Sequence, residues 1–329
     1  GEEYLAGRAA YAITTGDIVD DSPTSANAEK QWKIADKAIQ LMEKTGMPNG
    51  TVTGNHDTGN YPSAIYSLYN KYFGADRYRS EAWFGGSLND NASHYDLITV
   101  GNIDFVVLYL GYGVEGTPET IAWANDVLQR YGHRNAILAT HQYLKASTGA
   151  WDASSRAEVI YNEIVVPNEN VKMLLCGHDN GAVTLKKQIG DDRVFYEILS
   201  DYQFVELEDP DFYGGNEHYI GNVAGCNGDG YIRSMTFNGN KVETKTFSPV
   251  TGGTNPFGIR DEFTITVDFE QNDRVITTKG FTATLLGDKI ADVTAASGSK
   301  AETAYDGDAE AWAAVIATDN GSVVTASQK

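Results

Sequence analysis

Basic residues are scarce in this sequence: 25 Lys and Arg stand against 45 Asp and Glu, a formal charge of −20 over 329 residues. A field of that sign repels nucleic acid and anionic membranes, so neither is expected as a partner, and no local basic cluster offsets it. Long apolar runs are missing too. Nothing approaches the ~20 residues of a membrane-spanning helix, so no transmembrane segment is expected. The N-terminus lacks the charged, apolar and cleavage regions of a signal peptide. The chain opens on Gly1 rather than Met, which reads as a processed or partial product. Cysteine is nearly absent. Cys176 and Cys226 lie 50 residues apart, a spacing that matches no zinc knuckle. Cys176 ends an apolar run and reads as a buried thiol, with a Cys176–Cys226 disulfide as the alternative.

What is present is a globular composition, 41% apolar, in a chain long enough for one large α/β domain and a small appendage. Up to about residue 249, short apolar runs alternate with amphipathic segments. The spacing predicts helices over 27–45, 117–131 and 154–165; the first carries Trp32, Ala35, Ile39 and Met42 on one stripe and stops at Gly46. Strands are predicted over 11–15, 51–53, 103–110, 136–140 and 171–176, the third apolar but for Asp104 and of the kind buried on both faces. After 181 the pattern turns β-rich, with strands at 193–199, 231–237 and 241–247, the last two joined through Asn238-Gly239. Residues 250–260, rich in Gly, Thr, Asn and Pro, read as a linker, and 261–329 as a small β-rich module or part of one. No internal repeat is visible.

Four of the short strands run directly into polar clusters: Gly16-Asp17, Gly54-Asn55-His56-Asp57, His141, and Gly177-His178. Ligands gather at the carboxyl ends of strands in α/β folds, so these clusters are expected to share one site. Asp17 offers a carboxylate whose two oxygens suit divalent cations, although an isolated Gly-Asp is ordinarily a turn or cap. Asn55 offers a neutral carbonyl oxygen, His56 a nitrogen or a proton, and Asp57 a carboxylate placed to orient His56. A lone His is ordinarily a satisfied core or surface residue; His141 and His178 differ because they take equivalent strand-end positions beside the other clusters. His94, His133 and His218 do not share that setting and read as structural or surface residues. The helical spacing of Tyr61, Tyr66, Tyr69 and Tyr72 means packing, and Trp83-Phe84 is a candidate cleft rim.

The order GDIVD (16–20), GNHD (54–57), ATHQ (139–142) and GHDN (177–180) resembles the calcineurin-like metallophosphoesterase superfamily. Its hallmark runs D-x-H, GD-x-x-D, GNH-D/E, H, GH-x-H, and the resemblance covers about residues 11–249. Segments 201–203 and 228–233 look like features of bacterial secreted members. The resemblance implies a four-layer α-β-β-α sandwich, with 1–249 as the phosphoesterase domain. It implies two divalent ions (Mn, Fe or Zn) and hydrolysis of small phosphomonoesters or phosphodiesters by a hydroxide that bridges the metals. By position, Asp17 is the bridging ligand, Asn55, His141 and His178 complete one metal's shell, and Asn180 is a candidate for the other; His56 faces the scissile phosphate as a catalytic residue with Asp57 behind it. Iron–tyrosinate members carry Tyr where this chain has Asp20 and are disfavoured.

Two departures stand out. No Asp-x-His occurs in residues 1–16, where 2–9 instead reads as a helix end, and Asn180 replaces the closing His. Residues 1–329 alone are therefore expected to be weakly active or inactive. The alternative is a non-catalytic relative that uses the fold as a scaffold for surface or glycan binding. The Gly/Asn/Thr/Tyr-rich composition and the appended β segment suggest an extracellular or cell-surface location, with possible surface association.

Overall fold

The computed structural model describes residues 9–60, 63–100, 103–203, 230–256 and 261–271, and beyond them six backbone strands between 274 and 328. Cys226, His218, Tyr61 and almost all of the helix end expected over 2–9 lie outside the described residues. In chain order the first elements are β1 (Ala12–Ile13), α1 (Ala28–Glu43), β2 (Asn49–Gly50), α2 (Asn55–Thr58), α3 (Ser67–Phe73) and α4 (Ala75–Tyr78). Then come β3 (Phe84–Leu88), β4 (Ser93–Val100), β5 (Ile103–Leu110), α5 (Pro118–Arg130), β6 (Asn135–Thr140), β7 (Leu144–Lys145) and β8 (Ala150–Trp151). Next are α6 (Ala157–Ile160), which widens into a π-turn over Tyr161–Val165, β9 (Val171–Cys176), β10 (Gly181–Ile189) and β11 (Arg193–Asp201). Then follow β12 (Ile232–Asn238), β13 (Lys241–Phe247) and β14 (Phe263–Thr266).

The layers follow from the two faces of one mixed sheet, whose seven strands run in the order β10-β11-β9-β6-β5-β4-β3. β5 is buried along its whole length because both faces are covered. Its even positions, Val106, Leu108 and Leu110, meet α5 and α6 in one core; its odd positions, Phe105, Val107 and Tyr109, meet Val52, Val242, Ile265 and Phe269 in another. The second core therefore lies between the large sheet and a smaller β layer made of parallel β1-β2 and antiparallel β12-β13-β14. Outside β1-β2 stands a third cluster, in which Trp32 of α1 packs on Tyr69 and Phe73 of α3. This is the expected helix–sheet–sheet–helix order. Each fully buried Leu or Phe contributes about 1.5–3 kcal/mol through burial, so these faces dominate stability.

Helix ends match local chemistry. Thr117 accepts the backbone N–H of Thr120 at 3.3 Å and Pro118 takes the first helical position of α5, where a missing N–H costs nothing. The aromatic residues Tyr66 and Tyr69 are packing residues, as their spacing predicts. Phe84, expected at a cleft rim, instead stacks between Tyr78 and His94. An aromatic beside glycines reads alike in either setting.

Residues 261–271, expected beyond a linker in a separate module, pack into the main body. β14 adds to β13, and Ile265, Val267 and Phe269 fill the inter-sheet core. The Asn135 side-chain amide donates to the Glu270 carbonyl at 2.8 Å and accepts the Glu270 N–H at 2.9 Å. Their alternating apolar residues need a face to cover, and the large sheet supplies it. Further on, β15 (Arg274–Thr278), β16 (Phe281–Leu286) and β17 (Lys289–Ala295) form one antiparallel meander. A second is formed by β18 (Ser299–Ala304), β19 (Trp312–Thr318) and β20 (Val323–Gln328).

Candidate metal centre

Parallel strands of both sheets deliver the polar clusters to one place. β1 leads into Asp17, β2 into Asn55, β6 into His141 and β9 into His178. Their donor atoms converge on His141 Nε2, with Asn55 Oδ1 at 3.0 Å, His178 Nδ1 at 3.1 Å and Asp17 Oδ2 at 3.2 Å. Ligand atoms about 2.1 Å from a common cation stand roughly 3.0–3.4 Å apart at octahedral or tetrahedral angles. The observed edges fit that requirement.

Protonation also fits. His141 Nδ1 lies 2.7 Å from the Thr15 carbonyl, an acceptor only, so Nδ1 carries the proton. A cation would displace the proton that Nε2 shares with Asp17 and take its lone pair, the Nδ1–H to carbonyl bond being the arrangement that orients a ligating imidazole. Burial and then the charge of His141 push His178 down to about 4, so it is neutral and able to ligate. Burial works against the charge of Asp17, but the His141 hydrogen bond and charge and the His56 N–H, at 3.0 Å from Asp17 Oδ1, hold its carboxyl below the ordinary range. Burial likewise opposes charge on His141, while Asp17 outweighs it and raises the imidazole. One carboxylate, one amide oxygen and two imidazoles form a donor set suited to Zn, Mn or Fe.

The backbone is committed to this geometry. Asp17 and His178 both adopt left-handed φ, 52° and 75°, a conformation that non-glycine residues take at a cost and that marks functional sites. Gly16 and Gly54 allow the approach: a Cβ at Gly54 would stand 2.2 Å from Asp17 Oδ1, and one at Gly16 would stand 2.5 Å from His141 Nδ1.

Asp57 takes a different role from the one expected. It is fully buried, and its carboxylate accepts the N–H groups of Gly54 (2.7 Å), Val19 (3.0 Å) and Ile18 (3.2 Å), tying the loop after β1 to the loop after β2. Burial pushes its carboxyl up to about 7 against the pull of those amides. His56 has Asp20 as its ring partner: Nδ1 contacts the Asp20 carbonyl and lies 3.8 Å from its carboxylate. A carboxylate in the first turn of a short helix reaches back to the orphan N–H groups, not sideways to a neighbouring ring. Asn180 lies two residues beyond His178 and forms no hydrogen bond with the four cluster residues.

The cluster opens on a cavity of ≈ 300 Å³, whose other wall includes Ser200, Asp201, Tyr202, Gln203 and Tyr231. Asp201 closes β11 and accepts the Gln203 N–H at 3.0 Å. Tyr202 is fixed from behind, its hydroxyl donating to Asp261 Oδ1 at 2.6 Å and accepting from Arg233 Nη2 at 2.5 Å. The strand-end signal that finds the metal cluster covers Asp201 as well, but sequence spacing places it no nearer the cluster than any other polar turn.

A family model described as calcineurin-like phosphoesterase matches residues 3–181. The chain belongs to this family. It is similar to the uncharacterized protein YvnB of Bacillus subtilis (strain 168), at 36% identity over 284 residues, 82% of this chain and 20% of that protein. The chain thus spans about a fifth of that relative's length. Among solved structures it is similar to a dimetal phosphatase from Danio rerio, at 11% identity and a TM-score of 0.49 over 80% of this chain and 86% of that one. GAP50, the anchor in the inner membrane complex of Plasmodium, shows 14% identity and a TM-score of 0.47, covering 82% of each chain. The purple acid phosphatase PPD1 from yellow lupin (Lupinus luteus) seeds shows 12% identity and a TM-score of 0.46 over 80% of this chain and 48% of that one. The chain carries its candidate metal ligands at strand ends within the matched region. No helix among the described residues is long and apolar enough to cross a membrane.

Proposed function

We propose that the protein is a metal-dependent phosphoric ester hydrolase acting on small phosphomonoesters or phosphodiesters, with Asp17, Asn55, His141 and His178 holding a divalent cation. The observation that carries this reading is the convergence of three donor atoms within 3.0–3.2 Å of His141 Nε2. When bound, divalent ions in such a site polarise a phosphoryl oxygen and lower the pKa of water. The Thr15 carbonyl keeps the proton of His141 on Nδ1, and Asp57 locks the Asp17 and Asn55 loops together. In this reading His56, half-exposed and beside Asp20, gives a proton to the leaving oxygen. A second cation, expected for the family, would share Asp17 and draw on Asn180; Mn, Fe and Zn all suit the donors. The Gly/Asn/Thr/Tyr-rich composition and the C-terminal β meanders support a place outside the cell or at its surface.

A non-catalytic scaffold is the competing reading, and the amide at Asn180 favours it, being a weaker donor than imidazole. The two readings separate on turnover. The hydrolase reading predicts weak, metal-dependent cleavage of 4-nitrophenyl esters by residues 1–329 that Asp17→Ala abolishes; the scaffold reading predicts cation binding without cleavage.

A further inference from the structure

Helix α1 sorts its side chains by charge. Trp32, Ala35 and Ile39 face the outer core cluster, where Trp32 is fully buried. The acids of the helix turn to one flank and are all answered there. Glu29 pairs with Lys71 at 2.6 Å, Asp36 with Arg77 at 2.6 Å and Glu43 with Arg77 at 2.8 Å. The outward side carries Lys30, Ile34, Lys37, Leu41 and, at the C-terminal cap, Lys44; all five are exposed, Ile34 by 60% and Leu41 by 67%. At 3.6 residues per turn, their alternating spacing of four and three keeps them within roughly an 80° arc opposite Trp32, along about 20 Å of helix. Of the lysines over 28–44, only Lys33 has a carboxylate within ion-pair distance among the described residues, Glu29 at 3.8 Å. Lysines seven apart make no basic run in the sequence, so this patch exists only once the helix has formed.

We propose that this stripe is a docking surface for an acidic amphipathic helix of another protein. Alternating spacing of three and four is the pattern of a seam between two helices. Ile34 and Leu41 supply apolar area, and the lysine stems extend it while their ammonium groups reach the rim. A helix with Leu or Ile along one face, bordered by Glu or Asp, covers the apolar area and answers the lysines. A second copy of this chain does neither: two such stripes gather the lysines of both copies in one contact, between molecules that each carry −20. An anionic bilayer meets the same overall repulsion and finds only two aliphatic side chains to insert. Single exposed aliphatic residues are common on protein surfaces. Here they alternate with unanswered lysines, on a helix whose acids are all turned aside, and that combination points to a partner.

The test titrates the full chain with two synthetic helical peptides of about four heptads. Both carry a Leu stripe; one borders it with Glu, the other with Gln. The Glu peptide is expected to bind about tenfold more tightly than the Gln peptide, through exposed ion pairs that act against the field of the whole molecule. That preference should vanish near about 1 M salt. Changing Lys30→Glu, Lys37→Glu and Lys44→Glu together should remove the preference, and Ile34→Ser with Leu41→Ser should weaken both peptides about tenfold. These are exposed positions, so both variants should melt with the wild type, and a lost interaction then reports the surface and not the fold. No binding of the Glu peptide, equal binding of the two peptides, or binding unmoved in both variants overturns the proposal. So does either other occupant in place of the peptide: self-association in sedimentation runs, or binding to phosphatidylserine vesicles, that the lysine variant abolishes.

Discussion

At the scale of single residues, the account turns on how tightly the metal cluster is prepared by its neighbours. A Cβ at Gly54 would stand 2.2 Å from Asp17 Oδ1, so Gly54→Ala should displace the carboxylate and weaken divalent-cation affinity by about 10–100-fold, the range seen when a ligand's support is lost. Calorimetric metal titration checks this; unchanged affinity would show that Asp17 is not held where a cation needs it. Asp17, Asn55, His141 and His178 were legible in the sequence because each follows a short apolar strand, and strand ends converge. Asp57 was legible as a site residue but not in its role, since a carboxylate that clasps three N–H groups reads the same as one that faces a ring. Asp201 and Gln203 belong to a wall whose place is set by the pairing of β11 with β9, which no local spacing reports.

At the scale of elements, α5 and β4 give separable expectations. Thr117→Ala removes the N-cap of α5 and should cost about 1 kcal/mol, read as a lowered urea midpoint with unchanged slope. On β4, His94 is fully buried, stacked on Tyr109 at 4.2 Å, and burial pushes it down to about 3. The folded state therefore keeps His94 neutral while the unfolded chain takes up a proton below about 6.5. Its contribution is fully present above that pH and is lost as pH falls toward 3. The stability advantage of the wild type over His94→Phe should therefore shrink by about 1.4 kcal/mol per pH unit across that window. Unfolding curves at a series of pH values decide it, and a constant difference would contradict the buried neutral imidazole. Helices over 27–45 and 117–131 and the strand over 103–110 were legible almost to the residue, because burial on one or two faces writes a clear period. β14 was not: Gly, Thr, Asn and Pro at 250–260 signal a turn away from the domain whether or not the chain returns to it.

At the scale of the whole molecule, that returning segment links the fold to the cavity. Asp261 neutralises Arg233 and holds Tyr202 in the wall, all three sharing one buried network. Asp261→Ala leaves a buried guanidinium uncompensated and should destabilise by about 3–5 kcal/mol, seen as a lower melting temperature. Because β14 also completes the inter-sheet core, proteolysis within 250–256 should become faster in this variant; an unchanged digestion rate and melting temperature would separate 261–271 from the main body. The layered order of the domain follows from alternating faces on β5, and the acidic balance of the chain reappears at the cavity as a wall without Lys or Arg among its described residues. Everything proposed for catalysis depends on the cation held by the four strand ends. The most direct test is hydrolysis of 4-nitrophenyl esters by the metal-loaded protein and by Asp17→Ala, followed across added Mn, Fe or Zn. The account predicts weak, cation-dependent turnover in the wild type that falls to the uncatalysed background in the variant. Equal turnover in both proteins, with or without the cation, would contradict it.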